Sequence, residues 1–239
     1  MAIYDHRYIE PELLELVNKS PEGLILVGGL SFSGITTTAL RIMLECTANR
    51  PGAKVVDVSN RYDYNAEDSG AVTSIDVARD PYKRLISTAM SNDPDIIFLG
   101  EIRDKAKGNW SRVIVESSSK AIAEIHAHSV ASTLERYCEM IDKADLPRLR
   151  KVLVVSQFLL SLKTGKMIAV REFLSLDHVL LQALADSSDL KKTAYILSQT
   201  HGQSFYVSAL KQHANGWISA EQMAQVLDFH KSNAKEVGF

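Results

Sequence analysis

Gly23-Leu-Ile-Leu-Val-Gly-Gly-Leu-Ser-Phe-Ser-Gly-Ile-Thr-Thr-Thr38 decides how the rest of the chain is organised. Residues 24–27 are a short apolar run of the kind a buried parallel strand uses. Gly28-Gly29 turns the chain, small residues follow, and a helix-compatible run begins at Thr36. The segment therefore predicts a strand, a loop and the N-terminus of a helix. Gly29, Gly34 and Thr36 keep the G-x-x-x-x-G-x-T spacing of a phosphate-binding P-loop, so residues 29–37 (Gly29, Leu30, Ser31, Phe32, Ser33, Gly34, Ile35, Thr36 and Thr37) are the candidate nucleotide-binding set. One fixed position is broken: Ile35 stands where the motif has lysine.

That substitution bears on chemistry more than on binding. A P-loop holds phosphate with main-chain N–H groups and the positive end of the following helix, and these donors do not depend on the side chain at 35. The lysine ammonium normally neutralises charge on the β- and γ-phosphates during phosphoryl transfer. Isoleucine offers neither charge nor donor. Thr36 still supplies a hydroxyl for Mg²⁺. Phe32 places a bulky ring in a loop that usually lies against phosphate, and the same residues also fit an ordinary strand–turn–helix junction.

With 239 residues the chain is long enough for a sizeable core, and 46% hydrophobic and 23% charged residues are ordinary for a globular protein. A net charge of −2 without a basic block argues against a nucleic-acid partner. Cys46 and Cys138 are isolated in sequence, which fits reduced cysteines in the cytoplasm better than a disulfide framework. Residues 1–7 lack the pattern of a signal peptide. The most apolar window, 152–162, contains Ser156 and Gln157 and is too short to span a bilayer. Cytoplasmic placement is expected, with any membrane reached through a partner.

Elements alternate along the chain. A short linker helix with Pro11 in its first turn precedes the first strand, and strands are expected at 53–58, 72–77, 95–100 and 121–126. Helices are expected after the P-loop, from Asp80-Pro81 to about 91, over 104–117, and from Ser129. This order predicts a mostly parallel α/β sheet with helices on both faces. Beyond 142 a helix is expected over 146–160, a strand over 166–173, then helices near 175–184, 187–200, 203–214 and 219–231. Ser187 and Ser219 are the expected N-caps, and Gly202 and Gly216 the stops. The expected organisation is a linker helix (1–19), an α/β core (20–142) and a helical C-terminal subdomain (143–239).

Open α/β sheets bind ligands at the carboxyl ends of their strands. Phe98-Leu-Gly-Glu-Ile-Arg-Asp104 delivers a carboxylate there, so Glu101 is the first choice for a catalytic or metal-linked acid. Glu124-Ile-His-Ala-His128 ends the fifth strand, and His126 would face the same edge. Two histidines at i, i+2 with no third ligand cluster nearby do not make a zinc site. Asp63, in Arg61-Tyr-Asp-Tyr64, would bring a further acid. Arg61, Arg79 and Arg84 read as surface charges or as groups approaching a neighbouring subunit's phosphates.

The order of these pieces resembles the ATPases of type II secretion and type IV pili, and the PilT-like retraction motors in particular. Residues 23–38 are similar to the family's Walker A, 57–64 to its Asp box, and 116–129 to its His box with His126 at the histidine. Asp93-Pro-Asp-Ile-Ile-Phe-Leu-Gly-Glu-Ile-Arg-Asp104 is similar to its Walker B element nearly residue for residue. Glu172, Gly202-Gln-Ser-Phe205 and Gly216-Trp-Ile-Ser-Ala-Glu221 look like its C-terminal helical region. Ile35, Phe32 and Ser59-Asn-Arg61 depart from the family pattern, as do Ser87 and Ser91, which stand where the family carries arginines.

The resemblance implies a RecA-like P-loop NTPase core with a helical C-terminal subdomain, beginning at the motor domain without the family's N-terminal PAS-like domain. It implies ATP or ADP with Mg²⁺, Glu101 as catalytic acid, Asp63 as supporting acid, His126 as a γ-phosphate contact and Thr36 as the Mg²⁺ ligand. It also implies a homo- or hetero-oligomeric ring at the cytoplasmic face of the inner membrane, working on a platform protein of a pilus or secretion system. The departures raise a second reading, a non-hydrolysing structural or regulatory subunit of such an assembly.

Overall fold

The computed structural model describes residues 8–20, 22–59, 72–74, 87, 90–162 and 164–239. A helix α1 (Pro11–Asn18) leads into strand β1 (Gly23–Gly29) and helix α2 (Ile35–Ala48). Strands β2 (Val55–Asp57), β3 (Val72–Ser74) and β4 (Ile96–Glu101) follow, then α3 (Lys105–Glu116), β5 (Lys120–His126) and α4 (Val130–Met140). The chain continues with β6 (Val152–Ser161), β7 (Met167–Leu176), α5 (His178–Asp186), α6 (Leu190–His201), α7 (Phe205–Ala214) and α8 (Ala220–Glu236).

One seven-stranded sheet runs in the order β3-β2-β4-β5-β1-β6-β7, parallel throughout except for the β6–β7 hairpin. Every residue of β1 is buried, as expected for a strand covered on both faces. Its alternate side chains enter two cores. Leu24 and Leu26 join Ile97, Leu99, Ala121, Ala123 and Val154 beneath α3 to α6. Ile25 and Val27 join Phe98, Ile122, Leu153 and Val155 beneath α1 and α2. A third cluster under α7 and α8 brings Phe158, Phe205 and Phe229 together, with ring centroids 5.0–5.5 Å apart.

The strands expected at 95–100 and 121–126, and the helices expected over 104–117 and from Ser129, form within a residue or so of those bounds. The helix expected over 146–160 does not form. Residues Lys143–Leu149 make a 3₁₀ turn containing Pro147, Arg150 takes a positive φ of 58°, and β6 follows. The run Val-Leu-Val-Val is rich in β-branched residues and apolar without a period, so its sequence does not separate a buried strand from a buried helix. Burial between β1 and β7 decides for the strand. Two strands of the sheet therefore lie beyond residue 142, with α5 to α8 packed after them. Asp189, not Ser187, caps α6, because Ser187 closes α5 instead. Ser219 does cap α8, in a reciprocal box with Gln222. Gly108 lies inside α3 because a Cβ there would meet Met140 O at 2.6 Å.

Candidate nucleotide-binding site

The loop after β1 closes on itself. Ser33 N–H donates to Leu30 O at 3.1 Å, and Gly34 caps α2 in the left-handed region at φ 78°. A Cβ on Gly29 would lie 2.2 Å from Ser33 Oγ and 2.5 Å from Ile35 Cγ2, so only glycine fits under the turn. The first turn of α2 carries no acidic residue and no side-chain cap, which leaves its amide donors directed at the loop.

Ile35 is 6% exposed and packs into the core shared by Val27 and Ala39. Where the motif has an ammonium facing phosphate, this chain has an apolar anchor facing inward. Phe32 does not fill the loop. Its ring is 100% exposed, and the residue adopts a φ of 64°. Leu30 and Ser31 are exposed beside it, Ser33 is buried, and Thr37 is half-buried.

The neighbouring strand ends bring carboxylates and an imidazole to the same edge. His126 pairs in register with Gly29, and Glu124 with both Val27 and Glu101. Thr36 Oγ1 donates to Glu124 Oε2 at 3.1 Å. Glu101 Oε1 lies 3.4 Å from His126 Nε2, and Glu101 Oε2 pairs with Arg103 at 2.6 Å. Gly100 enables this approach, because its φ of 64° and bulged register turn the strand end, and a Cβ would meet Ser59 Cβ at 2.7 Å. At the end of β2, buried Asp57 accepts from Ser59 N–H at 2.7 Å. Asp63, Arg61, Arg79, Arg84 and the start of the helix expected at Asp80-Pro81 lie outside the described residues.

A buried network holds the loop from its other side. Gln157 Nε2, on β6, donates to Ser33 O at 2.6 Å. Gln157 Oε1 accepts from Thr38 Oγ1 at 2.7 Å and from Arg171 Nε at 2.9 Å, which fixes the orientation of the amide. Arg171 is fully buried, and its Nη1 also donates to Glu10 Oε2 and Tyr8 O, each at 2.8 Å. Gln157, Arg171 and Glu124 are residues around the loop that sequence reasoning did not select. Their signal was the polar or charged side chain inside an otherwise apolar strand.

These groups suit a nucleoside polyphosphate. Loop and helix amides would receive phosphate oxygens, and Thr36 with Glu124 would supply the hydroxyl and carboxylate that a hydrated Mg²⁺ uses beside phosphate. Glu101 and His126 lie in contact at the same strand-end edge as the loop, His126 in register with Gly29.

β5 separates the loop-bearing strand from the strand that ends in Glu101, and a helical C-terminal part follows; the fold is that of a RecA-like P-loop NTPase. The chain belongs to the family described as "Type II/IV secretion system protein", whose model matches residues 9–165. It is 27% identical over 172 residues to the type IV pilus retraction ATPase PilT of Pseudomonas aeruginosa, covering 68% of this chain and 50% of that protein. It is 30% identical over 157 residues to the competence protein ComGA of Halalkalibacterium halodurans, covering 64% of this chain and 43% of that protein. The chain thus spans half or less of the length of these relatives. Among solved structures, the ATPase DotB of Legionella pneumophila superposes with a TM-score of 0.81 at 18% identity, covering 93% of this chain and 64% of that one. The retraction motor PilT with bound ADP superposes at 0.75 with 21% identity, covering 94% and 67%.

Proposed function

We propose that this chain is the nucleotide-binding unit of a PilT-like pilus or secretion motor, with weak intrinsic ATP hydrolysis. The observation that carries this reading is the contact of Glu101 with His126 at 3.4 Å, on strand ends in register with the loop at Gly29. Glu101 is the catalytic acid, His126 the γ-phosphate contact, Thr36 the Mg²⁺ ligand and Asp63 the supporting acid. The nucleotide is ATP or ADP with Mg²⁺, held by residues 29–37. The unit works in a homo- or hetero-oligomeric ring at the cytoplasmic face of the inner membrane, through a platform protein, and drives pilus retraction or a related transport step. Among the described residues no helix is long and apolar enough to cross a membrane.

Burial of Ile35 in the apolar core favours a second reading, a non-hydrolysing structural or regulatory subunit of the same assembly. Phosphate release at steady state separates the two. Hydrolysis that falls at least tenfold on Glu101→Gln, in keeping with the loss of an acid positioned for proton transfer, supports the motor. Magnesium-dependent binding of ATP by calorimetry without any turnover supports the subunit reading. Absence of any nucleotide binding, unrestored by Ile35→Lys, marks the loop as a relic and the chain as a scaffold, and sinks the motor.

A further inference from the structure

The chain leaving β4 alternates between the core and the edge where the loop opens. Ile102 is 1% exposed, joins the core beneath α3, and donates its N–H to Glu124 O at 2.9 Å. Asp104 caps α3 by accepting from Lys107 N–H at 2.9 Å. The backbone at Arg103 is thus pinned on both sides. Successive side chains of extended backbone point to opposite faces, so with Ile102 turned inward, Glu101 and Arg103 share the outward one. Their ion pair, Arg103 Nη2 to Glu101 Oε2 at 2.6 Å, agrees with this. The other oxygen of that carboxylate lies 3.4 Å from His126 Nε2, and His126 is in register with Gly29 at the start of the loop. One carboxylate therefore spans the guanidinium and the imidazole.

The charges at this edge do not suit a polyphosphate by themselves. Glu101, Glu124 and Asp57 all bring carboxylates to the strand ends, and Ile35 contributes no ammonium. Arg171 is fully buried and committed to Gln157, Glu10 and Tyr8 O. Lys107 Nζ donates to the main-chain oxygen of Glu101 at 3.0 Å, and Lys120 stands at the far end of β5. Arg103 differs from all three, because its side chain is 72% exposed and its ion pair among the described residues is with Glu101. An exposed ion pair contributes little stability, so the guanidinium can leave it at small cost. Its planar fork of N–H donors matches phosphate oxygens two at a time.

We propose that Arg103 contacts the terminal phosphate of a bound nucleoside triphosphate and supplies the positive charge that Ile35 cannot. The inference rests on the nucleotide reading of the loop, and adds to it a side chain that tells triphosphate from diphosphate. The pair with Glu101 is then the nucleotide-free arrangement. When a terminal phosphate arrives, the guanidinium turns from carboxylate to phosphate, and Glu101 is left as an unneutralised acceptor beside it.

Calorimetry on the full chain with Mg·ATP and Mg·ADP tests this without requiring turnover. Arg103→Gln is expected to weaken ATP binding about tenfold or more, the order of one charge-assisted hydrogen bond, and to leave ADP binding nearly unchanged. The melting temperature without nucleotide should stay the same, which separates a lost contact from a lost fold. Weaker ATP binding has a second source, the Glu101 charge left bare against phosphate. In a Glu101→Gln background that repulsion is gone, so the ATP-specific loss on Arg103→Gln should persist there. ATP affinity unaffected by Arg103→Gln, an equal loss for ATP and ADP, or a loss that vanishes in the Glu101→Gln background overturns the inference and leaves the loop's proposed function standing. A wild-type chain that binds neither nucleotide overturns the inference and the motor together.

Discussion

Ile35 carries the sharpest consequence at the scale of single residues. Replacing it by lysine removes an apolar side chain from the α1–α2 core, a loss of about 2 kcal/mol in the absence of nucleotide. An ammonium that reaches phosphate returns a comparable amount through a charge-assisted hydrogen bond. Ile35→Lys is therefore expected to lower the melting temperature of the free chain and to show a larger upward shift with Mg·ATP than wild type. Thermal melts with and without nucleotide check this.

Phe32 is a simpler case. A fully exposed ring at φ 64° contributes no packing, so Phe32→Gly is expected to stabilise by up to about 1 kcal/mol in chemical denaturation. Glu172 is buried and pushed up from the usual carboxylate range by desolvation, although it accepts from Val130 N–H, Ser198 and Gln199. A raised folded-state value means the protonated form is favoured by folding. The stabilisation is complete below the unfolded value of about 4.3 and is lost as pH rises through the folded one. Glu172→Gln should flatten that fall, measured as stability against pH from about 4 to 8. Burial also pushes Cys138 up to about 12 and Cys46 upward, so both thiols stay protonated near neutrality.

At the scale of elements, the outcome followed how strongly each segment signalled its period and its ends. β4 was legible because an apolar run is bounded by Asp93-Pro94 and ends on Glu101, and α8 because Ser219 and Gln222 stand at capping-box spacing. Ser219→Ala is expected to cost about 1 kcal/mol in urea denaturation, the usual value of an N-cap. β6 was not legible as a strand, since its apolar residues fall on both faces without a period and only its position between β1 and β7 distinguishes it from a helix. The same ambiguity hid part of the site. Gln157 and Arg171 face each other across the β6–β7 pair, and no spacing rule links residues on two strands whose pairing is unknown. Glu101, His126 and Thr36 could be selected from sequence because each lies at or near the end of an element, where sequence marks are strongest.

At the scale of the whole molecule, the sheet order explains why widely separated segments share one edge. β5 lies between β1 and β4, so the loop and Glu101 are joined through a strand that contributes Glu124 and His126 itself. The two cores on either face tie this edge to α1 on one side and to α3 through α6 on the other. Leu30 and Phe32 meanwhile stand at 58% and 100% exposure at the tip of the loop, as an uncovered apolar pair. A ring would place such a pair against a neighbour. Light scattering with Mg·ATP is expected to show an oligomer that Phe32→Ser weakens, and a monomer at every concentration would refute the ring.

Arg171 has a mechanical meaning. With no solvent around it, this guanidinium acts as a rivet through three pieces of chain: the lead-in to the first helix at Tyr8 and Glu10, the hydroxyl of Thr38, and the amide that grips Ser33. A tug on the backbone at residue 8 is transmitted to the curl that would cup phosphate, so the shape of that curl and the path of the entering chain cannot be set independently.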